Sequence, residues 1–289
     1  MKQFCYFILL ILFTSCTSDA DFNIPANRGK LVLNSLITPD EPIVVDISAS
    51  IPITETIYPK IKDAIVLLYE NDVFIDTLTY ADDRKYKTDY IPKAGATYTL
   101  VVNAPGYNQI SATDIVPKLT MKAENLTSVS YEYPTIYKDH NVMGTLDFDL
   151  TDDSATELNY YEIQVFDTFS WGGEVYRATP GYWVSNEVVS LPEDGPHIGS
   201  LLFTNKVFQG KTVHFSIFVA REKCPYIKIR KISPAYYEYK NAWYLHDYYK
   251  TWRTEDDDVL FKGEPIKMFT NVEGAYGIFA SYSEFVYEP

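Results

Sequence analysis

Cysteine is scarce in this chain, three among 289 residues, and two of the three fall at positions 5 and 16. Once the N-terminal segment containing Cys5 is removed and Cys16 is modified, as argued below, Cys224 is left without a partner. An internal disulfide framework is therefore excluded, and stability has to come from burial. Histidine is nearly as scarce: the four, His140, His197, His214 and His246, include no two at a metal-ligand spacing. No HExxH or nucleophile-elbow pattern occurs. Apolar runs stop well short of the roughly 20 residues needed to span a bilayer. Positive charge is also short, 25 Lys and Arg against 39 Asp and Glu, giving a formal net charge of −14. That balance repels polyanions, so no nucleic-acid partner is expected.

What is present begins with the address. Lys2 precedes the apolar run Phe4 to Phe13, which has the charged start and short core of a signal peptide. Thr14 and Ser15 supply small residues before Cys16, and this arrangement resembles a bacterial lipoprotein signal with Phe13 where Leu is usual. That resemblance implies cleavage after residue 15 and acyl chains, palmitate among them, on Cys16, more than the two signals that stable anchoring requires. The following Ser18, Asp19 and Asp21 resemble an export signal to the outer face of an outer membrane. Residues 1–15 thus read as signal peptide and 16–27 as a flexible tether.

The rest of the chain reads as all-β. In residues 28–118, "GKLVLNSLIT" and "EPIVVDISASI" are broken by a turn with two prolines, and "DAIVLLYEN" and "VFIDTLTYADD" meet at Asn71-Asp72. "ATYTLVVNAPGYNQISATDIV" adds two strands around Ala104-Pro105-Gly106-Tyr107. Short strands at regular intervals predict an immunoglobulin/transthyretin-like β-sandwich, and "YTLVVNAPGY" resembles the last hairpin of transthyretin-like or carboxypeptidase-regulatory-like sandwiches. Residues 119–289 form a second β-rich domain. There "GTLDFDLTDDSATELNYYEIQVFDTF" predicts a hairpin turning at Asp152-Asp153-Ser154, and "TVHFSIFVA" a strand with Val213, Phe215, Ile217 and Val219 on one face. The Gly-, Pro- and Trp-rich stretch 170–200 predicts long loops.

One helix is expected, near 234–252, with Ser233 as cap and Pro234 at its first position. Tyr236, Tyr239, Trp243 and Tyr244 form an aromatic stripe that suits packing on a sheet and, alternatively, a ligand platform. Trp171, Tyr182 and Trp183 of the predicted loops, with Trp243, are the candidate ligand-binding residues. Glu255, Asp256, Asp257 and Asp258 lack the series of a calcium loop, so no metal is expected there. No catalytic residue, and no cofactor, emerges from the pattern.

"KLVLNSLITPDEPIVVDIS", "APGY", "ISPAYYEYKNAWY" and the terminal "EPIKMFTNVEGAYGIFASYS" together resemble domain-of-unknown-function family 4249. The resemblance implies a Bacteroidota outer-membrane lipoprotein encoded beside TonB-dependent receptors. Its expected role is a non-catalytic accessory that docks on, caps or presents cargo to such a β-barrel, with a free-standing binder of glycan, haem or peptide as the alternative. Within "NVEGAYGIF", Gly274 and Gly277 are expected to allow a turn or a close backbone approach before a closing strand.

Overall fold

The structure, a computed structural model, describes residues 29–52, 55–137, 140–152, 154–171, 174–178, 182–185, 200–219, 226–251 and 267–287. Cys16, Ser18, Asp19, Asp21 and the acidic run 255–258 lie outside these residues. Among the described residues the fold is all-β with a single α-helix, as the sequence predicts.

The first strands are β1 (Leu31–Ile37), β2 (Val44–Ala49), β3 (Ile65–Glu70), β4 (Val73–Asp82), β5 (Lys85–Lys87), β6 (Thr97–Asn103) and β7 (Ile110–Ile115). Their turns follow from local chemistry. Asn71 and Asp72 both take positive φ, 49° and 66°, which the two-residue hairpin between β3 and β4 demands. Asp83 and Arg84 do the same between β4 and β5 at 44° and 69°. Pro105 then Gly106 at φ 81° form a turn closed by Tyr107 N–H on the Ala104 carbonyl at 3.1 Å. Alternation along β1 and β6 sends Leu31, Leu33, Tyr98, Leu100 and Val102 into one core.

The later strands are β8 (Lys122–Tyr137), β9 (His140–Thr151), β10 (Tyr160–Trp171), β11 (Glu174–Ala178), β12 (Tyr182–Ser185), β13 (Leu201–Thr204), β14 (Thr212–Val219), β15 (Tyr226–Ile232) and β16 (Tyr276–Tyr287). They divide between two sheets. One of four strands runs β12-β14-β9-β8, while β11, β10, β15 and β16, with β13 beside β10, continue the sheet that begins with β1. The second core lies between these layers, where Leu146, Phe148, Phe215, Ile217 and Val219 meet Tyr161, Ile163, Ile227 and Ile229. Phe148 and Phe215 stack with ring centroids 5.2 Å apart.

Two expectations are corrected. β9 and β10 are not a hairpin, since β9 pairs with β8 and β14 whereas β10 pairs with β11, β13 and β15. Where the connection crosses between sheets, the buried Asp152 accepts from Tyr161 of β10 and from the Gly210 N–H just before β14. The stretch read as long loops contains β11 and β12, and Trp171 pairs with Glu174.

β16 joins the two halves. It runs parallel to β1, from Val32↔Tyr276 to Ile37↔Ser281, and antiparallel to β15. Rather than ending a sheet it is central, and both its faces are covered. Phe279 enters the first core with Val272 and Ala275, while Ile278 and Ala280 lie under the helix. A strand buried on both faces carries a continuous apolar run, which is how "GIFA" reads.

Candidate functional site

Helix α1 (Pro234–Thr251) starts where the sequence predicts. The Ser233 hydroxyl accepts the Tyr236 N–H at 3.2 Å, satisfying a free donor of the first turn. Tyr236, Tyr239, Lys240 and Trp243 follow at helical spacing and share one face. The helix lies on β16 and leaves the outer faces of β1 and β2 uncovered: Leu36 is 51% and Val44 37% exposed. Between helix and sheet runs a groove of about 520 Å³. Tyr236, Tyr239, Lys240 and Trp243 form its wall.

Strand register sets its floor in two rows. Ile278, Asn34, Asp46 and Lys85 stand side by side across β16, β1, β2 and β5. Leu36 and Val44 lie two residues along their strands, so a polar row borders an apolar one. Asp46 Oδ2 is 3.5 Å from Arg84 Nη2. Burial raises the Asp46 carboxyl above its ordinary value, and Arg84 opposes that shift.

A buried ionic network holds the wall. Glu162 of β10, with no exposed surface, lies 3.0 Å from Arg230 Nη1 and accepts the Tyr236 hydroxyl at 2.9 Å. Arg230 also reaches Glu284 at 2.8 Å and stacks over Tyr282, 4.3 Å from the ring centroid. Burial, then the Glu162 charge, pushes the Tyr236 phenol well above its usual range. Burial would raise Glu284 too, but hydrogen bonding and charge from Arg230 and Lys228 hold its carboxyl below the ordinary value. Lys240 Nζ lies 3.6 Å from Glu162 Oε1 and 5.6 Å from the Trp243 ring. The network thereby orients a lysine and, through it, an aromatic ring.

Of the predicted ligand residues, Trp243 lies in this groove, 45% exposed. Trp171 ends β10, while Tyr182 and Trp183 pair with Val219 and Phe218 of β14, so their backbones belong to two different sheets. The floor residues Asn34, Leu36, Val44, Asp46 and Lys85 were not singled out in the sequence. A signal existed: Leu36 and Val44 are apolar at outward positions of strands whose inward positions are also apolar.

A second polar cluster lies on the outer face of β9 and β14. His214 Nδ1 is 2.8 Å from Asp149 Oδ1, and its Nε2 is 3.4 Å from Ser216 Oγ. The order imitates a nucleophilic triad. Ser216, however, donates its proton to Asp147 Oδ1 at 2.5 Å, so the hydroxyl is not activated by the imidazole. The register pairs His214 with Asp149 and Ser216 with Asp147, which makes this a cross-strand polar ladder. Among the described residues, no three His, Cys, Asp or Glu side chains are placed to hold a metal ion. No described helix is long and apolar enough to cross a membrane.

Fold and groove define an all-β protein of two cores joined through one sheet, with a single aromatic helix laid on the strand that joins them. The chain belongs to the family described as Domain of unknown function (DUF4249), whose model matches residues 17–288. A comparison with curated proteins finds no match.

Proposed function

We propose that the protein is a non-catalytic lipoprotein, anchored through Cys16 to the outer membrane and facing the cell exterior, that serves as an accessory of a TonB-dependent transporter. The groove beneath α1 is its cargo site. The observation that carries this reading is that groove, an aromatic wall over a floor of mixed polarity, the usual composition of a site that orients a ligand without transforming it. The neighbouring ionisable groups support it, since Glu162, Arg230 and Glu284 are committed to one another and to positioning the wall. The signal-like segment ending at Cys16 supports the address.

The test is recovery from native membranes in mild detergent through a C-terminal tag, with Cys16 intact. A β-barrel receptor retained in near-equal amount is the expected result, and Cys16→Ala should release the protein from the membrane. Recovery of the lipoprotein alone would instead favour a free-standing surface binder of glycan, haem or peptide.

A further inference from the structure

We infer that the groove beneath α1 binds an amphipathic organic acid, a molecule with a flat or chain-like apolar body and an acidic head. The inference rests on reading this groove as the binding site. The body is specified by the wall and the apolar row. Trp243, Leu36 and Val44 are 45%, 51% and 37% exposed, and they face one space with Tyr239. Apolar surface concentrated in a concave site is what an apolar ligand covers.

The head is specified by charge. The chain carries a net charge of −14, yet the groove floor presents Lys85 beside a single acid, Asp46, which also lies 3.5 Å from Arg84. Lys85 makes no ion pair among the described residues. Lys240 is held instead by the buried Glu162, 3.6 Å from its Oε1, and serves the wall. A positive patch in an acidic protein draws an anion out of a field that otherwise repels it. A neutral saccharide would leave the charge of Lys85 unmatched.

The rows fix the orientation. The apolar body lies along Leu36 and Val44 against Trp243, and the acidic head turns toward Lys85.

Two fluorescent probes with the same aromatic body separate these claims: 8-anilinonaphthalene-1-sulfonate, which is anionic, and N-phenyl-1-naphthylamine, which is neutral. Titrated into the intact protein, the anionic dye should saturate one site with the higher affinity, and that affinity should fall as salt rises. Lys85→Gln, at an exposed position, should weaken the anionic dye by about tenfold and the neutral dye hardly at all. Trp243→Ala should weaken both dyes, with thermal melts confirming that each variant folds. Displacement by oleate marks a chain-like body and by protoporphyrin a flat one; displacement by neither overturns the organic-acid class. Equal affinity for the two dyes, insensitive to Lys85, overturns the inference but keeps the groove as a binding site. No saturable site for either dye removes the groove from both readings, whereas failure to recover a β-barrel bears only on the transporter.

Discussion

Gly277 of β16 lies so close to Leu33 of β1 that a methyl group built on it would come 1.9 Å from the Leu33 carbonyl oxygen. Its φ of 106° is also one that side chains rarely adopt. The contact lies inside the parallel pair that joins the two halves of the chain, so nothing flexible can yield. Gly277→Ala is expected to prevent folding or to lower stability by more than about 3 kcal/mol. Gly274, three residues earlier at φ 77°, has open space around it. Gly274→Ala should cost only about 1 kcal/mol, the strain of a left-handed backbone. Chemical denaturation of the two variants checks the contrast, and equal losses would count against the role given to the β1–β16 contact.

How much of this was legible is clearest at particular residues. Val213, Phe215, Ile217 and Val219 fall on one face of β14 because a sheet face solvated on one side imposes period two. The Asn71-Asp72 and Pro105-Gly106 turns announce themselves because few residues accept their dihedrals. The helix bounds follow from Ser233, Pro234 and the aromatic spacing. Pairing is another matter. Nothing local tells β16 to lie beside β1, more than 200 residues away by number, or tells β9 and β10 to part. The groove inherits that blindness: Trp243 carries its own signal, but Asn34, Asp46 and Lys85 become a row only when three strands align.

Asp152 replaces the expected hairpin turn with a buried anchor. Its carboxylate accepts from Tyr161 Oη at 2.6 Å, Asn205 Nδ2 at 2.8 Å, Asn159 Nδ2 at 2.9 Å and the Gly210 N–H at 3.1 Å. Burial would raise this group, but the four donors outweigh it and hold the carboxyl below its ordinary value. Asp152→Ala strips this acceptor from Tyr161, Asn159 and the Gly210 N–H, leaves Asn205 Nδ2 only the Glu157 carbonyl, and should cost about 3 to 4 kcal/mol. Asp152→Asn keeps the shape but turns an N–H toward at least one donor, and should cost about half as much. Because the folded group is the stronger acid, its contribution is present above the unfolded value and lost as pH falls through the folded one. Urea melts at pH 7 and pH 3 should show the gap between wild type and Asp152→Ala narrowing at the lower pH.

The network behind the groove lends itself to a double-mutant cycle. Arg230→Met leaves Glu162, which has no exposed surface, facing Lys240 at 3.6 Å as its remaining cation, and should cost about 3 to 5 kcal/mol. Adding Glu162→Gln removes the stranded charge and should restore a large part of that loss. The intrinsic fluorescence of Trp243 should shift in the single variant, since Lys240 then has a stronger pull toward Glu162 and away from the ring. Additive losses in the two single variants would show the charges to be independent, contrary to the geometry.

Asp114 occupies an inward position at the end of β7, where a carboxylate meets the seam between the first core, β16 and the start of α1. Its Oδ2 accepts from Ser281 Oγ at 2.6 Å, and Ser233 also hydrogen bonds to it. Burial pushes its pKa from 3.8 up to about 6, only partly offset by these bonds. The folded protein therefore holds a proton on Asp114 more readily than the unfolded chain does. Stability from this group is fully present below the unfolded value of 3.8 and is lost as pH rises through about 6, leaving a penalty of about 3 kcal/mol at neutral pH. Asp114→Asn resembles the protonated acid in size and hydrogen bonding and does not ionise. The variant should match wild type near pH 4 and exceed it by about 2 to 3 kcal/mol at pH 8, with the difference opening between those limits. Denaturant melts of both proteins across that range measure it directly. A constant offset would mean that Asp114 stays charged at the seam throughout, stabilised by Ser233 and Ser281 more strongly than burial disfavours it.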